Sequence, residues 1–161
     1  MATRDLPPPH IPLIKAGTPQ IASPWWDYWK AIDQFLKTLG IGAEATICLE
    51  FHGGGFVLSP GQQVWIRVPF DCEILSWTAT CQPSGSVVVD IWRNVYGSFP
   101  PVNADSITAS APVTVSSAVK ATNDTLTGWS KEITAFDYLK ANIDSVTSVQ
   151  DLLIELQVKK T

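Results

Sequence analysis

Four groups of residues have types and spacings that could do chemistry. His52-Gly53-Gly54-Gly55 could offer backbone N–H groups to a developing oxyanion, as in acyl transfer. That chemistry also needs a serine on a G-x-S-x-G turn between strand and helix, and the chain has none. The expected role of these glycines is therefore close backbone approach in a turn. Cys48, His52, Cys72 and Cys81 could be drawn as a metal set, but Cys-x3-His and an eight-residue cysteine gap match no ligand pattern, so no metal is expected. Asp71, Glu73, Asp90 and Asp105 are the carboxylates available for general acid–base work, and nothing in their spacing makes them converge. Asp90 stands apart because it interrupts an apolar run and so needs a buried partner, for which Arg67 and Arg93 are the candidates. Asn123-Asp124-Thr125 has the form of a glycosylation acceptor and is read as a turn. No catalytic residue and no cofactor is assigned.

Exposed aromatics are the other chemistry on offer. Trp65, Trp92 and Tyr96 could serve as stacking platforms for a glycan, with Asp90 beside Trp92. In the first 43 residues, Trp25, Trp26, Tyr28, Trp29, Ile32, Phe35 and Leu36 recur at helical spacing and form a candidate anchor for a partner.

The composition sets the frame for both. Hydrophobic residues make up 45% of the 161 positions and charged ones 16%, against about 25% in an average soluble domain. Such a chain has enough apolar surface to fold, and its length suits one domain with an appendage. A net charge of −4 gives no footprint for nucleic acid or anionic membrane. No run approaches the ~18 apolar residues of a membrane span, and the N-terminus shows no apolar signal core, so synthesis in a reducing cytosol is expected. The three cysteines are then expected to be reduced and to act as small apolar residues.

Elements follow from periodicity. Pro7-Pro8-Pro9, Pro12 and Pro19 predict an extended arm, either laid along a partner or left as an unstructured tail. Ser23 as N-cap and Pro24 at the first helical position predict a helix over about 24–39, closed by Gly40 and Gly42. The stripe must be buried, either on the chain's own following domain or on another subunit or partner; Trp25 and Trp26 lie about 100° apart on such a helix, too far for one narrow seam, which favours the second. The period then changes to two. Ile47, Leu49 and Phe51 predict a half-buried strand, as do Val64, Ile66, Val68 and Phe70, and Leu75, Trp77 and Ala79. Gln82-Pro83-Ser84-Gly85 is expected to end the third run. Residues 87–95 are apolar on both faces apart from Asp90 and Arg93, which predicts a central strand. A long Ser/Pro/Ala-rich loop is expected over 96–120, shorter strands over 127–133 and 138–143, and a final alternating strand from Leu152 to Val158. The fold class is mainly β: an antiparallel, jelly-roll-like β-sandwich over 44–161, preceded over 1–43 by an extended proline-rich arm and one amphipathic helix.

Several residues also carry a resemblance. Gly53-Gly54-Gly55, Val68-Pro69-Phe70-Asp71-Cys72-Glu73-Ile74, Ser84-Gly85-Ser86-Val87-Val88-Val89-Asp90-Ile91-Trp92-Arg93, Tyr96, Phe99-Pro100-Pro101, Ala104-Asp105-Ser106-Ile107, Leu126-Thr127-Gly128-Trp129 and the strand from Leu152 to Lys160 occur in that order. This order resembles a module at the C-termini of tailed-bacteriophage virion proteins, over roughly residues 47–160. Pro12-Leu13, Gly17-Thr18-Pro19 and Trp25-Trp26-x-Tyr28-Trp29 are similar to N-terminal attachment segments of phage fibre-like proteins. The resemblance implies a non-enzymatic structural protein located in the virion, a short trimeric fibre, spike or decoration. Its implied partners are further copies of itself and capsid, portal, connector or tail proteins. The rival expectation is an adhesin that binds a host-surface glycan. Near-heptad Trp25, Ile32 and Leu39 with Tyr28 and Phe35 would suit a short helical bundle.

Overall fold

The structure, a computed structural model, describes residues 23–38 and 43–161. The proline-rich arm and the glycines expected to close the helix lie outside the described residues. Those described fall into two units divided between Gly42 and Ala43.

In the first unit, α1 spans Ser23–Thr38. At about 100° per residue, Phe35, Tyr28, Ile32, Trp25, Leu36, Trp29 and Trp26 span half of its circumference in that order, with Asp33 between the last two. Neighbours at three positions meet: the rings of Trp25 and Tyr28 are edge-on at 6.3 Å. Trp25, Tyr28 and Ile32 are half-buried, while Trp26, Trp29, Phe35 and Leu36 are exposed.

The second unit is mainly β, one curled antiparallel sheet of seven strands. Its strands are β1 (Glu44–His52), β2 (Gln63–Arg67), β3 (Cys72–Asn94), β4 (Val113–Asn123), β5 (Glu132–Ile133), β6 (Tyr138–Thr147) and β7 (Asp151–Lys160). The path across the sheet is β1-β7-β3-β6-β2, with β4 and β5 on the other side of β3. β3 is the spine. Its first half, to Gln82, pairs with β7, and its second half, from Ser86, pairs with β6. β7 and β6 carry β1 and β2 outward, and the two outer strands approach each other as the sheet curls. One apolar core fills the curl. Ile47, Leu49 and Phe51 of β1 and Leu152, Ile154, Leu156 and Val158 of β7 all point into it, as their alternation predicts.

Three expectations are corrected. Gln82-Pro83-Ser84-Gly85 does not end a strand: the backbone runs through it. Pro83 and Ser84 have no ladder partner on either side, so the missing proline N–H costs no sheet hydrogen bond. The stretch 96–120 is not all loop, because 113–123 pairs with β3, burying Val113 and Val115. Of 127–133, only Glu132–Ile133 is strand. The Leu126-Thr127-Gly128-Trp129 element instead forms a turn whose buried Trp129 donates its indole N–H to the Ala111 carbonyl at 2.8 Å.

Candidate functional site

Antiparallel register across β2, β6 and β3 lays three rows of side chains on the outer face of this half of the sheet. Gln63, Asn142 and Asp90 form one row, Trp65, Lys140 and Trp92 the next, and Arg67, Tyr138 and Asn94 the third. A strand with alternating faces places residues two apart on one side, so these rows follow from pairing alone.

Segment 95–108 folds across the β3 and β6 part of this face. Asp90 fastens it. One carboxylate oxygen accepts the Trp92 indole N–H at 2.7 Å, and the other accepts the hydroxyls of Ser106, at 2.7 Å, and Thr108. Lys140 is buried beneath the same segment, donating to the Pro101 carbonyl at 3.2 Å with its ammonium 5.1 Å from the Trp92 ring centre.

Two expectations change here. The partners of Asp90 are neutral donors, since neither arginine reaches it. Arg93 meets Asp137 at 3.5 Å and the Glu132 carbonyl, and Arg67 lies 4.6 Å from the Phe136 ring. Trp92 is not a stacking platform, because only 7% of it is exposed. A carboxylate whose two oxygens already serve three donors also has little left for a ligand.

Trp65 and Tyr96 remain open, 58% and 73% exposed. The structure links them through two further rings. Trp65 meets Phe99 edge-on at 6.3 Å, Phe99 meets Tyr138 at 4.8 Å, and Tyr138 meets Tyr96 at 6.3 Å. The Gln63 amide donates to Asn142 at 3.0 Å, and Asn142 donates to Asp144 at 2.8 Å. These partners come from β2, β6 and the 95–108 segment, so only the β2–β6 register and the fold-over of that segment could have revealed them.

The opposite half of the sheet holds His52. It closes the β1–β7 ladder opposite Asp151, with Nδ1 at 3.2 Å from the Asp151 carboxylate and Nε2 at 3.4 Å from that of Glu50. Lys120, Thr80 and Leu153 line the same shallow groove of about 580 Å³. Both ring nitrogens of His52 face carboxylates, and no thiol or hydroxyl is bonded to either. The thiols of Cys48, Cys72 and Cys81 are unpaired and held above their ordinary pKa, chiefly by burial, which makes them poor nucleophiles. Among the described residues, no three His, Cys, Asp or Glu side chains cluster as metal ligands. The glycines after His52 form a tight turn. Gly53 donates to the Gln150 carbonyl at 2.7 Å, and a Cβ there would sit 2.7 Å from that oxygen and closer still to the Phe56 carbonyl. Close backbone approach is thus the role of Gly53, whereas Gly54 and Gly55, with open space around them, supply the left-handed backbone of the turn at φ +61° and +89°. Asn123 likewise makes a turn, its side chain accepting the N–H groups of Thr125 and Leu126.

The Asp151 hydrogen bond, then that to Glu50, raises the pKa of His52 above its ordinary 6.5. Imidazolium is therefore favoured in the folded chain. The resulting stabilisation is complete below the unfolded value and is lost as pH rises through the folded one. An NMR titration of His52 should give a midpoint above 6.5, and His52→Gln should flatten the fall in stability as pH rises above that value. An unshifted midpoint would contradict the two-carboxylate geometry.

The anchor residues of α1 belong to the first unit. Compared with protein-family models and with curated protein sequences, the chain matches none.

Proposed function

We propose that this chain is a non-enzymatic structural protein of a tailed-phage virion, in which α1 attaches the molecule and the β unit is displayed. In this reading the curled sheet closes as a sandwich of jelly-roll type, and the chain stands on capsid or tail as a short trimeric fibre, spike or decoration. The observation that carries it is the aromatic half of α1. Trp26 and Trp29 remain 51% and 50% exposed, with Phe35 and Leu36 beside them.

A helix of four turns is marginal in water unless such a face is covered. The β unit, by contrast, owns a continuous core. Docking that covers roughly 100 Å² more of each tryptophan would contribute about 5 kcal/mol before association costs. Charge borders this face at one edge, where Asp33 falls between Trp29 and Trp26 and the Lys30 ammonium lies 5.4 Å from the Trp26 ring centre, as at the polar rim of a protein–protein interface. The resemblance to phage virion modules agrees with this division of labour.

The test is co-purification with particles. Trp26→Ala combined with Trp29→Ala should release the chain from gradient-purified virions while the thermal midpoint of the β unit stays unchanged. Retention of that variant at wild-type copy number would refute the anchor.

A further inference from the structure

We infer that the outer face along β2 is a carbohydrate-binding site, with a pyranose ring stacked on Trp65. The site is independent of how the chain is anchored. Trp65 offers a large ring held edge-on by Phe99, so its orientation is set while more than half of the residue stays open. An indole face suits the C–H face of a sugar, which is apolar, while sugar hydroxyls project around the ring edge and need hydrogen-bonding groups in that plane. Such groups flank the ring on both sides. Gln63, two residues before Trp65 on the same strand face, leads the chain of amides and carboxylate through Asn142 to Asp144. Arg67, two residues after it, stands on the other side. Its Nε donates to the Phe136 carbonyl at 3.3 Å, and its guanidinium rests over the Phe136 ring, both of which hold it in place.

The further rings, Phe99, Tyr138 and Tyr96, continue the platform in steps of 4.8 and 6.3 Å. An extended oligosaccharide could follow them, with Tyr96 the most open of the four residues. Trp65 and Tyr96, 58% and 73% exposed, leave both ends of the platform open to a ligand.

Two other occupants fit less well. A nucleic-acid strand would also stack on these rings, but the chain carries a net −4 and places Asp144 beside the platform, against the phosphates. A protein partner would also meet the neighbouring rings Phe99 and Tyr138, but Gln63 and Asn142 on one side of Trp65 and Arg67 on the other put hydrogen-bonding groups beside the central ring, as a sugar requires.

The full chain should be passed over immobilised oligosaccharides built from neutral hexoses, N-acetylhexosamines and hexuronic acids, followed by calorimetric titration of any that retain it. Binding to at least one of these is expected, weakened about tenfold or more by Trp65→Ala and largely kept by Trp65→Phe, as for an aromatic stacking partner. Gln63→Ala should weaken it less. If the preferred sugar is a uronate, Arg67→Gln should abolish that preference. Because Trp65 is exposed, all variants should keep the wild-type thermal midpoint, and Trp65→Phe serves as the folded control. Three results would overturn the site: no retention on any oligosaccharide at millimolar concentration, unchanged binding by Trp65→Ala, or a loss of self-association in Trp65→Ala with no sugar bound. The last would assign this face to a second copy of the chain.

Discussion

Asp90→Ala should cost about 3 kcal/mol of stability and loosen segment 95–108 from the sheet. The cost arises because three donors lose their shared acceptor. The Trp92 indole N–H is buried and cannot turn elsewhere, and Thr108 is fully buried. Each buried donor left without a partner costs about 1–3 kcal/mol, whereas the Ser106 hydroxyl, part-buried, can rotate toward water. A small domain has only about 5–15 kcal/mol to lose, so the change should be plain in a urea titration. Trp92 should also report it, through a red-shifted emission as water reaches the ring. Asp90→Asn should cost less, since the amide oxygen still accepts from the indole. A loss below about 0.5 kcal/mol for Asp90→Ala, the range of an ordinary surface substitution, would show that Asp90 does not hold this segment.

Gly85→Ala should be comparably damaging, for a steric reason. β3 passes from β7 to β6 at this residue, and a Cβ there would strike the Thr147 carbonyl and lie 2.8 Å from the Val149 side chain. The carbonyl is backbone at the end of β6, so it cannot swing aside as a flexible side chain would. Overpacking of this kind typically costs about 1–3 kcal/mol, and the upper end is expected where backbone must move. The denaturation midpoint should fall with an unchanged slope. Gly97→Ala, which meets nothing within 4 Å, is the control and should leave the midpoint in place. Equal midpoints for both variants would mean that β3 can bend here without the close approach.

Much of the sheet can be read from the chain because burial on one face writes itself as alternation. β1 and β7 show it in Ile47-Leu49-Phe51 and Leu152-Ile154-Leu156-Val158, and both lie where that pattern predicts. β4 escapes notice because beyond Val115 its side chains are small, polar or exposed, leaving few apolar residues to mark a period. The continuity of β3 escapes because proline and glycine punctuate a strand only where the ladder needs their N–H or Cβ, and at residues 83–85 it needs neither. The site is legible in part. Residues 87–92, apolar on both faces apart from Asp90, mark a central strand, but nothing in them shows the cover that closes Trp92 to a ligand. The cover's fastening is invisible, because Ser106 and Thr108 lie 16 and 18 residues from Asp90 and carry no charge to advertise the pairing. Trp65 and Tyr96 are individually conspicuous. Phe99, Tyr138, Gln63 and Asn142 join them only through strand register and a folded-over segment. The helix is the reverse case, since its aromatic face is fully visible in the sequence.

The most direct test of anchored display compares two chains expressed during infection by the phage proposed to carry this protein, the full chain and residues 43–161 alone. Mass spectrometry of gradient-purified particles would count copies of each. Anchoring through the first unit predicts a fixed, whole-number copy count for the full chain and its near-complete absence for 43–161, although that fragment is folded in the lysate. Equal incorporation of both, or particles free of the full chain, would contradict it.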